Sequence, residues 1–351
     1  MEKDIVIKDV ADESLVLKYS ITSYGTDFDV DGLVRRIERK DIYVPPFQRA
    51  YVWNLKQASR FIESLLLGLP VPGIFLSKES DSQRLLVIDG QQRLRSLLYF
   101  YRGVFSDTGK EFVLTGLKSQ FNGAKYRSLQ PEDMRRLNDA IIHATVIRQD
   151  EPDDGQSGIY FVFERLNTGG TQLQPQEVRA ALYHGEFNHS LHELNQNEHW
   201  RSLYGAPSPR KRDEELILRF FALYYNASNY EAPMKEFLNS FMGKNKHLEL
   251  HSANELTDVF GKVTVFIANV FGEKAFKPKK ALNAAVYDSI MVGIARRMVE
   301  GSITNEGEAL DEYQKLLLNE SYINLTERAT ADKENVRRRL EIATQAFENV
   351  Q

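Results

Sequence analysis

The stretch LLVIDGQQRLRSLLYF, residues 85–100, sets four apolar residues directly before an acid, a glycine, two amides and an arginine. RLLVID reads as a buried strand, and beyond it Leu94, Leu97, Leu98 and Tyr101 recur at helical spacing. The chain therefore passes from strand to helix at Asp89 and Gly90. Such a turn leaves backbone N–H groups without intrahelical partners, and with the helix dipole these favour an anion such as phosphate. Gly90 lets a ligand approach the backbone, Gln91 and Gln92 both donate and accept, and Arg93 offers a planar fork suited to phosphate oxygens. Asp89 can orient a water, hold a metal ion or accept a proton. A structural alternative stays open, with Asp89 as the helix N-cap and Arg93 and Arg95 on a solvated face. Capping needs neither glutamine.

On the N-terminal side, SLVLKYSITSYG has strand-like runs, and Val30, Leu33, Val34 and Ile37 recur at helical spacing. A helix is predicted from Asn54 as N-cap, with Ala58, Phe61, Ile62, Leu65 and Leu69 on one face and Gly68 near its end. PGIFLSK reads as a strand joined to RLLVID by the polar turn ESDSQ, and AIIHATVIR at 140–148 as another. QDEPDDGQSG is a linker by composition. From about residue 156 nearly all periods are helical. The expected class is α+β: a mixed domain over 1–150 and an all-helical one over 156–351.

Composition narrows the functions. The 351 residues suffice for two or three domains, and 42% hydrophobic with 27% charged residues is the balance of a water-soluble globular chain. A net charge of -4 excludes a globally cationic nucleic-acid binder, so DNA contacts would come from local patches. With no cysteine, disulfides, thiol catalysis and cysteine-ligated zinc are excluded. The N-terminus lacks a signal-peptide pattern and no stretch approaches the roughly 20 apolar residues of a membrane span, so a cytoplasmic location without membrane partners is expected.

Two further clusters carry chemistry. In PPFQRAYVWN, Gln48 and Arg49 precede Tyr51 and Trp53. The arginine can grip a phosphate while the rings stack on a base, or the rings of Phe47, Tyr51 and Trp53 can simply pack on the core. In FERLNTGGTQLQPQEVRAAL, Asn167 ends a helix, Gly169 and Gly170 allow a tight turn, and Pro175 suits the next first turn. Turn chemistry explains that connection; Arg165, Asn167 and the exposed N–H groups can also complete a nucleotide pocket.

Taken together in this order, the proline–x–Gln-Arg–x–Tyr–x–Trp loop, the Asp-Gly-Gln-Gln-Arg turn and the Phe–x–x–Leu-Asn–x–Gly-Gly–x–Leu stretch resemble the N-terminal domain of the GmrSD-type restriction enzymes. The resemblance spans about residues 20–185. It implies a ParB/sulfiredoxin-like fold for the first domain and a nucleotide-dependent component of a bacterial anti-phage restriction system acting on modified DNA. It further implies that Asp89, Gln91, Gln92 and Arg93 contact or activate GTP or ATP with Mg2+, with Gln48 and Arg49 opposite, and that a DNA modification is sensed near the aromatic loop. Family members often carry a C-terminal nuclease domain with a histidine-centred metal motif. No such motif is evident here, so a separate nuclease subunit is an expected partner; the oligomeric state stays open.

Two other readings remain: a metal-dependent DNA nickase of ParB-like fold, and a non-enzymatic nucleotide-gated switch. Neither a Walker A loop nor Gly–x–Gly–x–x–Gly occurs. His189 with His192, and His247 with His251, lack a metal signature, so no metal ligands are assigned. The basic runs SPRKRDE, KPKK and RRR at 337–339 read as solvated faces or as DNA phosphate contacts.

Overall fold

The computed structural model describes residues 20–44, 51–79, 82–105, 109–151, 157–166 and 174–351. The chain is mixed α+β, with an N-terminal sheet region followed by a helical part. Its residues form two compact units, one over Tyr19–Gln172 and one from Leu173 onward.

In the first unit the order is β1 (Ser20–Asp29), α1 (Val30–Glu38), β2 (Ile42–Tyr43), α2 (Leu55–Leu66), β3 (Ile74–Lys78), β4 (Leu85–Asp89), α3 (Gln91–Arg102), β5 (Val104–Phe105), β6 (Lys110–Glu111), α4 (Pro131–Asn138), β7 (Ile141–Glu151) and α5 (Ser157–Leu166). Five strands form one sheet in the order β1-β7-β3-β4-β2, and β5 pairs with β6. β1/β7 and β3/β4 are antiparallel, whereas β3/β7 and β2/β4 are parallel. The parallel pairs each need a crossover, supplied between β2 and β4 by α2 and β3, and between β3 and β7 by β4 through α4.

Side chains alternate along β7: Ile142, Ala144 and Val146 are buried while Ile141 and His143 are exposed, the period of a strand with one covered face. That covered face joins Ile74, Leu76 and Val87 to Leu33, Ile62, Leu65, Leu94 and Leu97 from α1, α2 and α3 in one core. Full burial of each such side chain stabilises by about 1.5–3 kcal/mol. On the opposite face Leu86 and Ile88 of β4 are buried, and α5 packs against β4 and β7 with Ile159 and Tyr160 inside.

The helix ends follow from their caps. Asp29 accepts from the Gly32 N–H to start α1, and Asn54 with Gln57 forms a reciprocal capping box on α2, as its sequence position predicts. Two expectations shift. α3 buries Leu94, Leu97 and Phe100, with Leu98 and Tyr101 only partly covered, because its inner stripe follows a 3-residue step onto the core and onto Phe112. Gln149 is not linker but part of β7, held by pairing with Ile21; residues 152–156 of that segment lie outside the described residues.

The second unit contains α6 (Pro175–Leu182), α7 (Glu186–Leu194), α8 (Glu198–Tyr204), α9 (Arg212–Asn226), α10 (Met234–Lys244), α11 (Ala253–Val270), α12 (Ala284–Val299), α13 (Glu306–Leu318), α14 (Glu320–Glu327) and α15 (Lys333–Phe347). Every residue of α12 from Ala284 to Ala295 is buried, so this helix is central and apolar nearly all round. One acid interrupts it. Asp288, fully buried, accepts from Arg219 Nε at 3.1 Å and Nη2 at 2.7 Å, and from Arg339 Nη2 at 3.1 Å, tying α9 and α15 to α12.

Candidate functional site

The strand-to-helix turn forms as its sequence asks, with a different cap. Asp89 is the last residue of β4, and the N-cap of α3 is Gly90, with φ at +103°. A Cβ at that position would collide with the Ile74 Cγ2 methyl, so glycine is required twice over, by conformation and by space. No side chain caps α3, which leaves its first-turn N–H groups unclaimed by any side-chain oxygen. The reading of Asp89 as N-cap is thereby corrected: the left-handed Gly90 interposes itself and leaves the carboxylate for another partner.

That partner is Arg93. Its Nη2 donates to Asp89 Oδ2 at 2.7 Å; the carboxylate side chain is 43% exposed and the guanidinium 13%, so the acid faces outward and the arginine backs it. Two polar atoms beside them, Gln91 Oε1 and Arg93 Nε, are buried and have no hydrogen-bond partner among the described residues. One is an acceptor and the other a donor, both at an uncapped helix start.

Gln92 has a different task. Its Oε1 accepts the backbone N–H of Val52 at 3.0 Å and of Trp53 at 3.2 Å, so the aromatic segment is clamped onto the first turn of α3. A second clamp lies one turn on. Ser96 Oγ donates to the Gln92 carbonyl at 2.7 Å, which leaves its oxygen to accept from the Tyr51 hydroxyl at 2.8 Å. The Tyr51 ring packs edge-on against Tyr99 and Phe105, with centroids 5.1 and 5.7 Å apart, and Trp53 packs against Phe61 at 5.8 Å. Burial pushes the Tyr51 hydroxyl up to about 12, against the lowering effect of its bond to Ser96. Of the two readings of these rings, packing is therefore what the fold makes of them, and Val52 between them is the residue that stands out, 64% exposed.

The remaining site residues distribute unevenly. Arg165 is exposed on α5, and no hydrogen bond or ion pair joins it to the Asp89 turn. Gln48, Arg49, Asn167, Gly169 and Gly170 lie outside the described residues. The sequence reading missed Ser96. Its signal was a hydroxyl four residues after Gln92, buried on the apolar side of a helix, where a small polar residue needs a reason.

Several histidines and basic-run residues of the second unit pair with nearby acids. His189 pairs with Glu193, His192 with Glu214, His247 with Glu186 and His251 with Glu255. Among the described residues no group of three or more His, Asp or Glu could hold a metal ion. Arg210 binds Glu177, Lys211 binds Glu214, Lys279 binds Glu327, Arg337 bridges Glu334 and Glu341, and Arg339 is buried on Asp288.

An α+β unit that presents an outward carboxylate and an uncapped helix start, followed by helices, is the class defined so far. Residues 30–184 match the family of the GmrSD restriction endonuclease N-terminal domain, a span containing the Asp89 turn, the aromatic segment and α6, and the chain carries a domain of that family. A domain of that family points to a restriction-system component acting on DNA. No curated protein matches the chain. Among the described residues no helix is long and apolar enough to cross a membrane.

Proposed function

We propose that the chain is a nucleotide-dependent component of an anti-phage restriction system directed at modified DNA, and that the Asp89 turn is its triphosphate site. The observation that carries this is the uncapped start of α3 beside an outward carboxylate backed by Arg93, whose Nε–H donor is buried without a partner among the described residues. Free N–H groups and the positive end of a twelve-residue helix suit a phosphate. Asp89, alone, suits a cation that takes one or two carboxylates and completes its shell with phosphate oxygens and water, which is how Mg2+ is usually held beside a nucleotide.

The residue types thus fit GTP or ATP with Mg2+; when bound, the ion would neutralise charge on the phosphate oxygens. Asp89 holds the ion or orients water. Arg93 turns from Asp89 toward the phosphates, where its fork offsets negative charge. Gln91 Oε1, an acceptor, meets a donor of the ligand such as a ribose hydroxyl or base N–H, and Gln92, with Ser96, keeps Tyr51 and Trp53 in place as positioning residues. Gln48, Arg49, Arg165, Asn167, Gly169 and Gly170 are the further candidate nucleotide contacts that the sequence motifs and the family resemblance imply, and the helical unit serves DNA sensing or a separate nuclease subunit.

Phosphate release from GTP and ATP with Mg2+, with and without modified DNA, tests the reading. Asp89→Asn should abolish turnover while the protein keeps its melting temperature; full turnover by the folded variant ends the assignment. One observation favours a second reading. Because Asp89 is already paired with Arg93, the turn also suits a switch that binds nucleotide without hydrolysing it, which tight binding with no phosphate release would select.

A further inference from the structure

Residues 51–136 of the first unit carry thirteen Lys and Arg against eight Asp and Glu in a chain of net charge -4. Part of this surplus is concentrated along α2. Lys56 and Arg60 stand one turn apart on its exposed side, and Lys118 is exposed on the loop laid beside it. None of the three has an acidic partner among the described residues.

The loop is fixed to the helix at three points. The Thr115 N–H donates to Ser59 Oγ at 3.0 Å, Ser119 donates to Glu63, and the Lys56 stem runs over Gly116, whose φ is +70° and where a Cβ would stand 3.1 Å from Lys56 Cγ. Glu63, the only acid in α2, sits on the same stripe and is occupied by Ser119. The three cations therefore share one ridge built on a rigid helix. The ridge also starts beside the Asp89 turn, because the residue before its N-cap Asn54 is Trp53, held by Gln92.

We infer that this ridge of Lys56, Arg60 and Lys118 is a track for the phosphate backbone of duplex DNA. Neighbours at i and i+4 are about 5–6 Å apart. One DNA strand rises about 3.4 Å along the axis per phosphate and winds around it, so such a step is of the order of one spacing between neighbouring phosphates. Flexible arms without acidic partners bind such a backbone with little regard to sequence, which leaves recognition of a modified base to other residues. The inference rests on the reading of the chain as acting on DNA; it does not need nucleotide hydrolysis.

The test is fluorescence anisotropy of a labelled duplex DNA with the full chain over a salt series, comparing wild type with Lys56→Gln/Arg60→Gln/Lys118→Gln. Loss of three phosphate contacts should weaken binding at least about tenfold and flatten the slope of log affinity against log salt by about 2.7. Lys262→Gln/Lys315→Gln/Arg337→Gln, which removes cations paired with acids in the second unit, should leave both unchanged. Unaltered affinity and slope in a folded triple variant overturn the proposal, as does a wild-type chain that binds no duplex. Phosphate release by Asp89→Asn is read in parallel, so a failed ridge with an inactive Asp89 variant, or the reverse, separates the two readings.

Discussion

Gln92 accepts two consecutive backbone N–H groups, those of Val52 and Trp53, through a single side-chain oxygen. The Val52 N–H lies at an exposed position and the Trp53 N–H is part-buried, so the glutamine fixes where the aromatic segment meets α3 while water can replace it at Val52. Gln92→Ala should cost about 0.5–1.5 kcal/mol, the usual net loss for a hydrogen bond that water can partly replace. Gln92→Glu keeps an acceptor and should recover most of it. Urea unfolding of both variants checks the order; equal losses would show that the amide oxygen is not what holds the segment.

Gly90→Ala should be more damaging than its single methyl suggests. The residue must hold φ near +103° and the new carbon would strike Ile74, a core side chain only 1% exposed. Strain of that kind costs on the order of 1–3 kcal/mol before the steric conflict is added. Thermal denaturation should show a clear drop, whereas Gly103→Ala, with open space around its position, should show the conformational part alone.

In the helical unit, Asp288→Ala strands two buried guanidinium groups and should destabilise by about 3–5 kcal/mol. Replacing Arg219, Asp288 and Arg339 together with apolar residues of similar volume should lose far less, since no charge is then left buried alone. Denaturant midpoints of the single and triple variants decide the matter.

Tyr51 gives a pH dependence with a definite sign. Its folded hydroxyl sits near 12 and an unfolded one near 10.0, so the native state keeps a proton that the unfolded state gives up. Its contribution is therefore complete below the unfolded value and is lost as pH rises through the folded one. Tyr51→Phe should melt with a shallower decline over that alkaline window than wild type, a comparison made by unfolding at a series of pH values.

The fold was legible where apolar period and caps agreed. Asn54 with Gln57 announced α2, and the run before Asp89 announced β4, because both signals are local. The site was legible only in part. Asp89, Gln91, Gln92 and Arg93 could be singled out as surplus polar residues, yet their division of labour depends on which way Gly90 turns the chain and on what comes back across α3. Ser96 shows the limit: its partner Tyr51 is 45 residues away, a separation that no helical or strand period reports. The α2 ridge was equally hidden, since Lys118 joins Lys56 and Arg60 only through the loop's bonds to Ser59 and Glu63.

α3 also has a mechanical consequence. Leu94, Leu97 and Phe100 are each fully buried, so the helix can neither roll nor slide without opening the core beneath the sheet. The Val52–Trp53 segment is held instead by one glutamine oxygen, one hydroxyl and a few ring edges. Anything bound at the turn thus meets an anvil on one side and a spring on the other, and whatever message it sends must leave through the spring.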